Sequence, residues 1–506
     1  MKIPSPILAC ITPFIFAAAC TTTGTDSVEA TGQSVKGQTV STISSAHQAA
    51  ETPIMFEASS GESVAAFEGS FTVPEYRGDP NSRILTLKYV RFPSTSEVAG
   101  SPIVYLAGGP GGSGIGTAKR QRFPLFMAMR SFGDVIAFDQ RGTGASNDAP
   151  RCVSSQIADD TQLVSDADDL QMQKEALVEC LEFWQAKGID VRGYTTPESV
   201  DDLEALRRHL GAEKLTLWGI SYGSHLSLAA LKVMDDKIDR VVIASAEGLD
   251  QTIKLPARTD AYFGRLQAAI DTQPAAKQLF PDINGLMTHV HQQLDQNPIM
   301  LQIPQKDGSI SPLLFKRRDM QRIASAMISD PVNASALLQI YGATAAGITE
   351  PLVGLLGVFH TPNAPISYGA MSVLMDIASG TGALRRAEIA EQAKTSLLGP
   401  YLNQPVELED VDPSLVLGDE FRARPVSDVP VLLFSGTLDG RTYLSSQREA
   451  VAGLTNTQIV TVVNAGHNLY MSSPAVTATI ERFMRDEPLQ SDEIVIDLPD
   501  FARVPG

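Results

Sequence analysis

A serine hydroxyl attacks a carbonyl near neutral pH only when a base takes its proton and an acid orients that base. Ser221 stands in Gly219-Ile220-Ser221-Tyr222-Gly223, a G-x-S-x-G pattern. An apolar run of strand length, Leu215 to Ile220, precedes it, and helix formers from His225 to Leu231 follow. A strand turning that sharply into a helix leaves room only for glycines beside the serine and lifts the hydroxyl to the end of a sheet. Ser221 is the candidate nucleophile. Seven histidines compete for the base: His47, His209, His225, His289, His291, His360 and His467. His225 lies inside the following helix and should point into packing, while His289 and His291 fall on different sides of a helix and make a poor metal pair. His467 follows the buried-strand pattern Gln458 to Val463, in Asn464-Ala465-Gly466-His467-Asn468, at the strand end where α/β sites gather. It is the candidate base. Asp439 follows the run Val429 to Ser435 and is the candidate acid; its rival Asp428 precedes that strand and would sit at the opposite edge.

A tetrahedral intermediate also needs N–H donors for its oxyanion. Ala107-Gly108-Gly109-Pro110-Gly111-Gly112-Ser113-Gly114, directly after a strand-like run, offers bare backbone; the Gly109 and Tyr222 amides are the candidate donors. The same stretch satisfies G-x-G-x-x-G, and Asp139 closes a later strand, which makes a passable dinucleotide fingerprint. That reading leaves Ser221, Asp439 and His467 unemployed, and Pro110 stiffens the turn it needs to be supple.

These residues must be carried by a sheet. Ala65 to Val73 and Ile84 to Val90 flank a turn-rich segment and predict a hairpin. Pro102–Ala107, Val135–Asp139, Leu215–Ile220 and Arg240–Ser245 are short apolar runs separated by helical segments, the signature of a mostly parallel sheet. One helix begins where Thr196 can cap it, with Pro197 in its first turn. From 251 to 425 strand-like runs become scarce and helical spacing dominates, before buried strands return. The expected order is a core over 56–250, a helical cap over 251–425, and a second core part with a tail over 426–506.

The chain of 506 residues is 43% hydrophobic and 19% charged, a globular composition. Its formal net charge of −18 argues against nucleic acid and anionic membrane surfaces as partners. Residues 1–19 read as a targeting segment: Lys2, an apolar stretch from Ile7 too short to span a membrane, then Ala17-Ala18-Ala19-Cys20. This resembles the lipobox of bacterial lipoproteins, with Cys20 the lipidation site; ordinary signal cleavage near the same alanines is the alternative. Residues 20–55, rich in Thr, Ser, Gly and Gln, read as a flexible tether. After export Cys152 and Cys180 remain as an even pair in an oxidising compartment, so a disulfide is expected, with two free buried thiols the alternative.

Taken in order, Gly108-Gly109-Pro110-Gly111-Gly112, Asp139-Gln140-Arg141-Gly142-Thr143-Gly144-Ala145-Ser146, Gly219 to Gly223, Gly436-Thr437-Leu438-Asp439 and Ala465-Gly466-His467 resemble the proline iminopeptidase and tripeptidyl aminopeptidase family of α/β-hydrolases. The segment from Cys180 through Tyr194 to Leu206 is similar to its secreted branch. The resemblance implies an α/β-hydrolase fold with a helical cap insertion, Ser221, Asp439 and His467 as a catalytic triad, and a structural role for Asp139 and Arg141. It also implies acidic cap residues that bind a substrate's α-amino group. Glu247, Asp250 and Asp376 are available, but the Cys and acidic pattern of the secreted branch has no match around Met375-Asp376. The expectation is an exported, periplasmic, outer-membrane-anchored serine hydrolase, releasing residues from peptide N-termini. It would use no metal or organic cofactor, take peptide or small ester or amide substrates, and touch a membrane only through its lipid. An esterase or amidase on the same scaffold, or a non-catalytic binding protein, are the other readings.

Overall fold

The computed structural model describes residues 51–503. The targeting segment, Cys20 and most of the tether lie outside the described residues. The remainder begins with an antiparallel meander: β1 (Thr52–Glu57), β2 (Ser63–Pro74) and β3 (Ile84–Phe92). Alternating burial along β2 and β3 packs one face on the core and leaves the other wet. The hairpin read from the sequence is β2–β3, whereas β1 starts inside the stretch assigned to the tether.

Buried runs then build the parallel part. β4 (Ile103–Leu106) and β5 (Val135–Asp139) are buried at every position, because both faces are covered by helices. β6 (Cys152–Ile157) leaves the sheet, and β7 (Leu215–Ile220) and β8 (Ile238–Ala244) return to it. After the insertion, which carries the hairpin β9 (Ile299–Pro304) with β10 (Ile310–Phe315) and the strand β11 (Pro365–Tyr368), come β12 (Val431–Gly436), β13 (Thr457–Val463) and β14 (Glu493–Val495). The ten-stranded sheet has the order β1-β2-β3-β5-β4-β7-β8-β12-β13-β14, parallel from β5 onward.

Three further details differ from the sequence reading. Thr195, not Thr196, caps the helix Thr196–His209, because its extended backbone turns the hydroxyl onto Glu198 N. The insertion is not purely helical: Ile299–Pro304 and Ile310–Phe315 alternate in burial and pair as a hairpin. The cap also draws on a segment assigned to the core. β6 pairs antiparallel with β11, and the helix Asp166–Ala186 receives Arg318 and Arg322 from the insertion on Asp166 and Asp169. Cys152 and Cys180 are bonded, with Cα atoms 5.5 Å apart, fastening β6 to that helix. Two excursions from the sheet thus form one cover. Among the described residues no helix is long and apolar enough to cross a membrane.

Candidate active site

Ser221 sits between β7 and the helix Tyr222–Val233 with φ 54° and ψ −125°, a strained backbone for a residue with a side chain. The flanking glycines are obligatory. A Cβ on Gly223 would lie 2.0 Å from the Leu106 carbonyl oxygen, and one on Gly219 would lie 2.5 Å from that of Gly223. The neighbouring strands therefore close on the turn so tightly that only hydrogen fits there.

His467 reaches the site from the loop after β13. Its backbone is clamped at both ends, the amide donating to the Ser329 carbonyl at 2.7 Å and the carbonyl accepting from Ser245 Oγ at 2.7 Å. Nδ1 faces both carboxylate oxygens of Asp439 at 3.0 and 3.1 Å. Asp439 is fully buried and also accepts from Thr442 Oγ1 at 2.7 Å and from the amides of Arg441 and Thr442 at 2.7 and 2.9 Å. Burial alone would push its carboxyl up; the facing His467 and the Thr442 donors outweigh that and hold it below the usual carboxylate range. A permanently charged carboxylate on Nδ1 leaves Nε2 as the nitrogen free to accept a proton. Asp428 makes no such contact.

The turn after β4 lies against the serine. A Cβ on Gly108 would stand 3.0 Å from Ser221 Cβ. Gly109 takes φ 129°, which a side chain would resist, and Gln140 Nε2 holds the turn by donating to the Ala107 carbonyl at 3.2 Å. The Tyr222 amide opens its helix, so no preceding turn accepts it. Asp139 is spent on structure: it accepts from Ser113 Oγ at 2.6 Å, Ile115 N at 3.0 Å and Ala145 N at 2.8 Å. A ribose has no access to it, which removes the dinucleotide reading. Arg141 is fully buried on Asp202, with both Nε and Nη2 at 2.6 Å.

Two of the other histidines are packed away. His225 is fully buried against the Gly248 carbonyl, and burial pushes it down to about 4. His291, bonded to Tyr341, is lowered to about 4 for the same reason. Among the described residues no group of three or more His, Cys, Asp or Glu could hold a metal ion.

The insertion adds a helix, Ala370–Ser379, directly over the turn. Ser372, Asp376 and Ser379 share one face at i, i+4 and i+7. A Cβ on Gly111 would touch Ser372 at 3.8 Å, and Ser379 Oγ lies 3.4 Å from His225 Nε2, so that face looks onto the serine turn. Among the described residues nothing donates a hydrogen bond to the Asp376 carboxylate. Burial, then the negative charge of nearby Glu247, raises it to about 7. Glu247 itself is paired with Lys254. Asp250 lies partly exposed in an adjacent turn.

The model of the α/β hydrolase fold matches residues 102–327, and that of TAP-like proteins matches residues 418–495. The chain has the α/β-hydrolase fold. Similar proteins include a tripeptidyl aminopeptidase of Streptomyces coelicolor, 31% identical over 193 residues, covering 35% of this chain and 34% of that protein. The serine protease Hip1 of Mycobacterium tuberculosis is 29% identical over 186 residues, with 35% of each chain covered. The chain thus spans about a third of the length of the curated relatives it matches. A solved proline iminopeptidase of Mycobacterium smegmatis shares 16% identity, covers 83% of this chain and 98% of its own, and gives a TM-score of 0.37. The chain carries its strained serine and its His–Asp pair on strand ends of one sheet of this fold.

Proposed function

We propose that this α/β-hydrolase is an exported serine peptidase that removes residues from peptide N-termini. The serine Oγ of Ser221 attacks the scissile carbonyl carbon while His467 Nε2 takes its proton. Asp439 keeps the Nδ1 tautomer and stabilises the imidazolium that forms. The amides of Gly109 and Tyr222 bond the oxyanion. The tetrahedral intermediate collapses as His467 returns the proton to the leaving amine, leaving an acyl-enzyme, and water attacks that ester by the same route in reverse roles.

The observation that favours an aminopeptidase over a general esterase is Asp376. A carboxylate without a donor, facing the serine turn from the cap, is complementary to an ammonium one residue or a few from the cleaved bond. Glu247 adds negative charge behind it. The relatives named tripeptidyl aminopeptidase and serine protease support the same class. Cleavage of aminoacyl or tripeptidyl anilides with free and with blocked amines tests the reading directly. Blocking should abolish turnover; equal rates on both, or faster hydrolysis of simple aryl esters, would favour the esterase reading. Export and lipidation at Cys20 rest on the Ala17-Ala18-Ala19-Cys20 motif and would tether the enzyme to the periplasmic face of the outer membrane.

A further inference from the structure

Arg122 precedes the helix Phe123–Met129 and is only 8% exposed. Among the described residues no carboxylate lies within ion-pair distance of it. Its polar partners are neutral: one guanidinium nitrogen donates to the Tyr105 phenol and another to Asn468 Oδ1. The guanidinium carbon lies 5.4 Å from the centre of the Tyr105 ring and 5.3 Å from that of Tyr470. A buried cation without a counter-ion is costly to keep, and here two aromatic faces and two charge-assisted hydrogen bonds offset that cost.

The partners sit on the three segments that carry the proposed chemistry. Tyr105 belongs to β4, which runs straight into the Gly108-Gly109 turn. Tyr470 Oη donates to the Gly219 carbonyl at 2.7 Å, on the residue two before Ser221. Asn468 follows His467 in the chain. Trp218, on the strand that ends at the serine, packs edge-on against both rings, 4.7 Å from Tyr105 and 5.8 Å from Tyr470.

We propose that Arg122 is a positioning residue of the hydrolytic centre, locking the His467 loop against the Ser221 strand and the strand that feeds the oxyanion turn. It touches no substrate and acts through Asn468, Tyr470 and Tyr105. The Asp439 contact orients the imidazole ring about Nδ1, while the arginine sets where the loop as a whole stands relative to Ser221. This inference rests on the serine-hydrolase reading above.

The test uses full-length protein, an aryl ester substrate that needs no amine, and fluorophosphonate titration to count active sites. Arg122→Met and Asn468→Ala should each lower kcat per titrated site by about 10- to 100-fold, since small misplacements of reacting groups cost that much. KM should stay within about twofold, because no substrate contact is removed. The double variant should fall no further than the worse single one, as expected when the Asn468 contact is one of those through which Arg122 acts. Asn468 is exposed, so its variant carries the test even where Arg122→Met folds poorly. A lowered melting temperature with unchanged kcat per titrated site, or losses that simply add, would overturn the proposal. Failure of the wild-type protein to react with fluorophosphonate would instead overturn the hydrolase reading, before any variant is made.

Discussion

Replacing Asp376 by Asn removes one charge from the cap and leaves a side chain of nearly the same size. The carboxylate has no donor among the described residues, so the change breaks no internal hydrogen bond. What it removes is the attraction for a substrate ammonium in a site ringed by protein. A hydrogen bond to a charged partner contributes about 1.5–3 kcal/mol, which corresponds to roughly a 10- to 150-fold loss in kcat/KM for free-amine substrates. Blocked anilides and aryl esters should lose nothing. The pH profile carries the same information with a sign. Burial and Glu247 hold Asp376 near 7, so below about 7 the carboxyl is neutral and cannot attract the amine. A peptide α-amine loses its proton at about 7.7–8.0, so above about 8 the other partner is neutral. The wild-type enzyme should therefore show a narrow optimum between those values on free-amine substrates, absent on blocked ones and absent from Asp376→Asn. Steady-state kinetics on a free and a blocked substrate from pH 5.5 to 9, steps of about half a unit being ample to separate the two limbs, decide it. An equal loss on both substrates would refute the reasoning, because the residue would then only shape the cleft.

Four further outcomes are expected. Asp439→Asn should lower kcat by about 10⁴-fold while keeping the fold, since the amide favours the wrong imidazole tautomer; circular dichroism and single-turnover kinetics check both halves. Cys152→Ser with Cys180→Ser should cost about 3–4 kcal/mol for a loop of 28 positions on the chain-entropy model, read from denaturant unfolding with and without reductant. Arg141→Met should destabilise by about 3 kcal/mol, because it leaves the buried Asp202 carboxylate with Arg77 as its remaining ion-pair partner and takes the donor from the Glu75 and Gly193 carbonyls; thermal melting measures it. Cys20→Ser should abolish acylation and release a soluble form, seen by mass spectrometry and fractionation.

The serine turn, the loop that ends at His467 and the glycine turn after β4 were legible from local pattern. Each combines an apolar strand, buried throughout in β4 and β7 and at alternate positions in β13, with a loop whose small residues are needed for close approach, and both signals are local. The Cys152–Cys180 pairing was legible because Cys10 and Cys20 fall in the stretch read as a signal and lipid site, which leaves one even pair in the rest of the chain. The boundary of the cap was not. β6, Cys152-Val153-Ser154-Ser155-Gln156-Ile157, is half polar and gave no strand signal, and only its pairing with β11, more than two hundred residues later, shows that it belongs to the cap. The β9–β10 hairpin was missed because its alternation is short and lies among strong helix formers. Arg122 gave no signal at all, since a lone arginine before a short helix is ordinary until its neighbours are known.

By itself, the sequence determined which residue types could do the chemistry and in what chain order they arise, because nucleophile, acid and base each end a strand whose burial is written in its own side chains. Tertiary structure alone decided how they meet. It placed the Asp439 carboxylate within 3.0 Å of His467 Nδ1, left Asp376 without a donor above the serine, and brought Arg122 to Asn468. Those facts depend on contacts between separate segments, 28 positions apart for Asp439 and His467 and 346 for Arg122 and Asn468, set by sheet order and by packing of the cap, and no local spacing encodes either.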